Sequence, residues 1–210
     1  MSKVALLLSG RLGEYEDCIS NITSNIIEPL NADLYMYVSQ GGKKDGIKED
    51  MEPLKKYSPI KLEIEGDEPP TAVGFPPSPY HMHRKIQACF NLVDKQYDWI
   101  IKFRPDCKLS EPLDLSKLNP EEYNIPIGGD WLGGIGDIFC ASNHSNMKYY
   151  CNLLEYVKDY SSRHPESMLK EHLHSVDINR FEVDILVLDQ SPYDRVAGLV
   201  TASDYYGCCP

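Results

Sequence analysis

The chain has 210 residues, 42% of them hydrophobic, enough to bury one substantial core, and its length suits a single domain over 1–210. With 32 acidic against 21 basic residues the net charge is −11, which argues against a general nucleic-acid or anionic-membrane binder, since both need a basic face. No apolar run reaches the length of a membrane span, Met1-Ser2-Lys3-Val4 leads into an apolar strand rather than a cleavable leader, and seven scattered cysteines form no CxxC pair, so a soluble cytoplasmic protein with free thiols is expected.

Val4 to Leu8 is an unbroken apolar run that suits a central strand buried on both faces of a parallel sheet. The Ser9-Gly10-Arg11-Leu12-Gly13 turn that follows either lets a ligand reach backbone N–H groups beside an arginine or is a plain strand-to-helix turn. It is neither GxGxxG nor GxxxxGK[ST], so dinucleotide and P-loop readings lose their main support. Ile19, Ile22, Ile26 and Leu30 recur at helical spacing and predict an amphipathic helix over Tyr15 to Leu30. Asp33 to Val38, which includes Tyr37, reads as a second strand, followed by a polar loop from Gln40 to Asp45. Ile47 to Tyr57 reads as a solvated helix, and the alternation of Ile60, Leu62 and Ile64 with charged residues predicts a strand near the sheet edge.

The proline-rich stretch from Glu68 to Tyr80 predicts an ordered surface loop. His81 to Val93 predicts a helix with Met82, Ile86, Cys89, Phe90 and Val93 on one face. Its first turn would then carry His83, Arg84 and Lys85, against the helix dipole, and a nearby anion would account for them. Tyr97 to Phe103 is a short buried strand that ends in Arg104-Pro105-Asp106. Ligands bind just beyond the carboxyl ends of strands in an open α/β sheet, so this cation and carboxylate suit a diphosphate and metal site. Asp106 supplies the hard oxygen that Mn²⁺ or Mg²⁺ prefers, and Arg11, Arg84, Lys85 and Arg104 could meet phosphate charge.

Tyr123 to Ile127 reads as a short edge strand. In Gly128 to Ala141, five glycines surround Trp131, Asp130 and Asp137 before another strand begins. This is either a close approach to a sugar with an indole platform or a tight turn with a core tryptophan. Met147 to Tyr160 and a segment from His164 to Leu169 predict helices, with Glu166 either capping the second or serving as a site carboxylate. Phe181 to Leu188 predicts the last strand, and the tail to Pro210 closes on neither a helix nor a charged end, which reads as one domain of a longer polypeptide. Alternating strands and helices favour an α/β fold, a central, mostly parallel sheet of about six strands flanked by helices.

The order of VALLLSG, HRKIQACFNLV, YDWIIKFRPD, GGDWLGGIGDIFCAS and HPESMLKEHL resembles small nucleotide-sugar glycosyltransferases of the GT-A fold, among them amino-terminal domains of chlorovirus proteins that build capsid glycans. The resemblance covers nearly the whole chain. It implies a single GT-A-like, Rossmann-related domain, a UDP-sugar donor, a Mn²⁺ or Mg²⁺ ion, a glycan acceptor, and host cytoplasm if the source is viral. Such enzymes place Asp-x-Asp after the central strand. Here the matching positions read Arg104-Pro105-Asp106, so the second aspartate carries over as Asp106 and the first does not. The resemblance also implies that Leu8, Ser9, Gly10 and Arg11 hold the nucleoside and that Asp130, Trp131, Gly134 and Asp137 face donor sugar and acceptor, with Tyr37 in the donor set. Asp137 is the first choice for the reacting carboxylate, with Asp130 and Glu166 behind it, and retention is favoured over inversion. A sugar nucleotidylyltransferase and a noncatalytic glycan-binding module remain alternatives.

Overall fold

The computed structural model describes residues 2–12, 15–39, 51–66, 77–130, 133–156 and 164–188. The loop expected at Gln40 to Asp45, most of the proline-rich stretch, Trp131, the end of the helix predicted to reach Tyr160, and the tail lie outside the described residues. So does the side chain of Arg11.

The apolar opening run forms β1 (Val4–Arg11), whose leucines are fully buried on both faces. The predicted amphipathic helix follows as one helical stretch of varied pitch: a 3₁₀ turn (Tyr15–Cys18), α1 (Ile19–Ile22), a π turn (Thr23–Ile27) and α2 (Glu28–Leu30). Pro29 has no N–H to offer the carbonyl of Asn25, and that carbonyl instead accepts from Leu113 N at 2.8 Å. Ile22 and Ile26 are buried as the spacing predicts, and the stretch stops where Asn31 turns left-handed at φ 47°. β2 (Asp33–Ser39) and β3 (Lys61–Glu65) come next, with a 3₁₀ turn (Glu52–Tyr57) where the sequence predicts the end of a longer helix.

α3 (Pro77–Asn91) begins four residues before its predicted start, because prolines are tolerated in a first turn where N–H groups have no partner in any case. His83, Arg84 and Lys85 therefore sit in the second and third turns, and the dipole argument for an external anion no longer applies to them. β4 (Trp99–Phe103), β5 (Cys107–Leu109), β6 (Tyr123–Pro126) and β7 (Phe139–Ser142) follow. The last third holds α4 (His144–Cys151), α5 (Leu153–Tyr156), α6 (Pro165–His172), β8 (Ile178–Phe181) and β9 (Ile185–Val187).

Among the described residues, seven strands form the main sheet in the order β3-β2-β1-β4-β7-β6-β8, and β5 pairs with β9 in a small second sheet. The fold is α/β with a mostly parallel sheet flanked by helices, but the sheet is mixed: β7 runs antiparallel to both β4 and β6. Two expectations change. β6 lies inside the sheet, because the unpredicted β8 covers its outer side in parallel register from Tyr123↔Ile178 to Pro126↔Phe181. The single last strand expected over Phe181 to Leu188 is split, Phe181 closing β8 while β9 pairs with β5.

Two cores sandwich the sheet. Leu6, Leu8, Ile101, Phe103 and Phe139 face the helical stretch of α1 and α2, while Ala5, Leu7, Ile100 and Cys140 share a core with Ile86 and Cys89 of α3 and Met168 of α6. The five described cysteines are buried and form no disulfide among the described residues. Two asparagines have structural partners: Asn21 exchanges two bonds with the Leu109 backbone, and Asn143 caps α4 through Asn146 N at 2.9 Å. No described helix is long and apolar enough to cross a membrane.

Candidate functional site

The chain runs outward from β1 to β2 and β3, then returns to place β4 on the opposite side of β1, all four strands being parallel. Such a reversal marks the usual ligand position in open α/β sheets, beyond the carboxyl ends of β1 and β4. β1 delivers Ser9, Gly10 and Arg11 to it, and β4 delivers Lys102, Arg104 and Asp106. Because β7 enters antiparallel with Phe139 opposite Phe103, its leading residue Asp137 arrives at the same end of the sheet.

Lys102 is the centre of this group, a charged side chain only 1% exposed within an otherwise apolar strand. Its Nζ donates to the carbonyl oxygens of Asp137 and Ile138, and burial lowers its pKa. Asp137 is 6% exposed. Burial opposes its ionisation, but Lys102 and then Arg104 outweigh burial and hold its carboxyl below the usual range. Glu166, at the start of α6, moves the other way: burial first and the negative charge of Asp137 second push its carboxyl up to about 7. Two carboxyls of one site thus sit on opposite sides of the ordinary value, the pattern that separates a fixed carboxylate from a proton carrier. His83 reaches in from α3; burial lowers its imidazole to about 4, so it is neutral at pH 7, and its Nε2 has no hydrogen-bond partner among the described residues.

Arg104 and Asp106 form a bidentate pair, Nε donating to Oδ1 at 2.9 Å and Nη2 to Oδ2 at 2.5 Å. Asp106 is 2% exposed, and both its oxygens, expected to ligate a metal, are engaged by the guanidinium. Asp130 is likewise occupied. It accepts from Gly136 N at 2.8 Å and from Arg180 Nη2 at 3.0 Å, so it ties the glycine-rich loop to β8. Its placement is that of a loop anchor.

Arg84 pairs with Glu65, the same carboxylate accepts from Tyr37 Oη at 3.4 Å, and Lys85 Nζ lies 4.0 Å from it. The anion expected near these cations is Glu65 of this chain, delivered by the end of β3. Leu8 is fully buried in the core, so it could meet a ligand only through its backbone. Ser9 is buried with its Oγ unpartnered among the described residues, and Gly10 adopts φ 129°, a conformation that side-chain-bearing residues rarely take.

Gly134 has a close-approach role, toward this chain rather than toward a ligand. A Cβ there would lie 2.4 Å from the Glu166 carbonyl carbon and 2.6 Å from both Glu166 Cβ and Ser167 N. Ile135 N donates to Glu166 O at 3.0 Å, which fixes the loop on the first turn of α6. Gly134→Ala is therefore expected to destabilise the fold by about 3 kcal/mol, since backbone cannot yield as a flexible side chain does. Thermal unfolding checks this, and an unchanged midpoint would refute the contact.

Asp137, Glu166, Arg104 and Asp106, singled out from the sequence, lie at one end of the sheet, and sequence reasoning misses Lys102 and the inward direction of His83. The signal for Lys102 is present: a lysine inside Trp-Ile-Ile-Lys-Phe must be buried with the strand. No protein-family model matches the chain, and no curated protein matches it.

Proposed function

We propose that this chain is a glycosyltransferase that moves a sugar from a UDP-sugar to a glycan acceptor with retention of anomeric configuration. The observation that carries the reading is the pair of carboxyls at the switch point, Asp137 held ionised by Lys102 and Arg104, and Glu166 poised near 7. Retaining sugar transfer by double displacement needs those two states, a carboxylate nucleophile and a second carboxyl that exchanges a proton at neutral pH. In the first step an Asp137 oxygen bonds to the anomeric carbon while the bond to the diphosphate breaks, and UDP leaves with the electron pair. Arg104 stabilises the negative charge that develops on the departing phosphate. In the second step an acceptor hydroxyl oxygen displaces Asp137 and Glu166 takes its proton.

The resemblance also implies Mn²⁺ or Mg²⁺, which would supply Lewis-acid stabilisation of the leaving diphosphate. The donor set of the described residues does not fit such an ion. Asp106 is chelated by Arg104, and among the described residues no three His, Cys, Asp or Glu side chains are grouped to hold a metal. The steps above therefore run through the protein's own residues.

Calorimetric titration with UDP, GDP and CMP in the presence of Mn²⁺ tests the reading, together with an assay of UDP release from UDP-sugars. UDP binding in preference to GDP and CMP, with slow donor hydrolysis, is the expected result. Pyrophosphate exchange would replace it with a nucleotidylyltransferase, and sugar binding without nucleotide binding would replace it with a glycan-binding module. The anomer of the product, read by NMR, tests retention.

A further inference from the structure

We infer that Arg104, oriented by Asp106, holds the donor diphosphate in the place a divalent cation would take, so that donor binding is independent of metal. This rests on the nucleotide-sugar reading above. A hard cation requires carboxylate oxygens free to approach at about 2.0–2.6 Å. Asp106 offers little to one: its two oxygens accept the Nε and Nη2 protons of one guanidinium, and the carboxylate is almost wholly buried.

Among the described residues, the other carboxylates around the carboxyl ends of the strands, apart from the raised carboxyl of Glu166, are also matched by protein cations. Asp137 lies in the field of Lys102 and Arg104, Glu65 pairs with Arg84, and Asp130 pairs with Arg180. A metal ion entering here would meet carboxylates already paired with Lys102, Arg104, Arg84 and Arg180. A diphosphate would meet a preformed donor. Arg104 spends one edge, Nε and Nη2, on Asp106, and its side chain is still 33% exposed, so the Nη1 side of the fork is the part left for an incoming anion. The carboxylate behind it fixes the direction of the fork before the ligand arrives, which reduces the ordering that binding must otherwise impose. The departure from Asp-x-Asp at Arg104 then has a chemical reason, because a fixed guanidinium carries the positive charge that two aspartates would recruit from solution.

The test is UDP titration of the wild-type protein and of R104K, R104Q and D106N in EDTA and in Mn²⁺, with melting curves to confirm folding. Wild-type affinity should agree within about twofold between EDTA and Mn²⁺, a difference under half a kcal/mol. R104Q should weaken UDP by about 30-fold and R104K by about 5–10-fold, since the lysine keeps the charge and loses the fork. D106N should weaken UDP by about 5-fold, through loss of orientation, with no rescue by Mn²⁺. Binding more than about tenfold tighter in Mn²⁺ than in EDTA, abolished in D106N and unaffected in R104Q, would overturn the inference and restore a metal at Asp106. Absence of UDP binding under both conditions would instead remove the glycosyltransferase reading itself. If the glutamine variant does not fold, the lysine variant decides, since it retains the charge that Asp106 needs.

Discussion

Lys102→Met is expected to destabilise the protein by about 3–5 kcal/mol, the usual consequence of removing one member of a buried charge cluster. Methionine matches the stem of lysine in volume, so packing contributes little to the loss. What is lost is the donor to the Asp137 and Ile138 carbonyls and the positive charge that offsets the Asp137 carboxylate. The direction with pH follows from linkage. Without Lys102 the folded-state pKa of Asp137 rises, and a carboxyl whose folded pKa exceeds its unfolded value binds more protons when folded. Relative to wild type, whose lowered Asp137 carboxyl favours the folded state as pH rises, the variant should therefore lose melting temperature with rising pH. The double variant K102M/D137N should recover a large part of the loss, as expected when both partners of a buried pair are removed together. Equal melting temperatures for wild type and the single variant would show that the Lys102 charge is solvated.

Asp137→Asn and Glu166→Gln are expected to differ in the shape of their pH profiles. The asparagine cannot form the bond to the anomeric carbon and should lower kcat by about 10³-fold or more at every pH. Glu166 must be deprotonated to accept the acceptor's proton, so the wild-type rate should rise with pH through about 7 and level off above it. Glu166→Gln should lower kcat by about 10²–10⁴-fold and abolish that limb. Stability of the wild type runs the opposite way at Glu166: its carboxyl is raised from 4.5 to about 7, so its contribution is greatest at low pH and falls as pH climbs through 7. A rate limb that stays near 7 in the glutamine variant would assign the titration to another group.

A good part of this arrangement is legible in the residues themselves. The leucine run of β1 can satisfy its apolar side chains only between two layers, and it lies next to the central strand, between β2 and β4. The stripe of Ile22 and Ile26, the face of Ile86, Cys89 and Phe90 on α3, and the abrupt end of β4 at Arg104 were all expressed as local periodicity. β8 was not. Ile178-Asn179-Arg180-Phe181 is half-buried along its whole length, and it becomes a strand only because the edge of β6 offers it a register.

The site divides in the same way. The sequence by itself determined an α/β chain with charged residues at the end of a central strand, because burial patterns and chain-terminal charges of strands are local properties. Only the tertiary structure decided what those charges meet. Arg104 turns back onto Asp106, Glu65 of β3 answers Arg84 of α3, Arg180 of β8 claims Asp130, and Lys102 finds the carbonyls ahead of β7. Each of these pairings except the first joins residues distant in the chain, and the partner that wins depends on strand order and on β7 running antiparallel. A pKa near 7 at Glu166 has the same origin: it comes from burial and from the charge of Asp137 brought alongside by the fold.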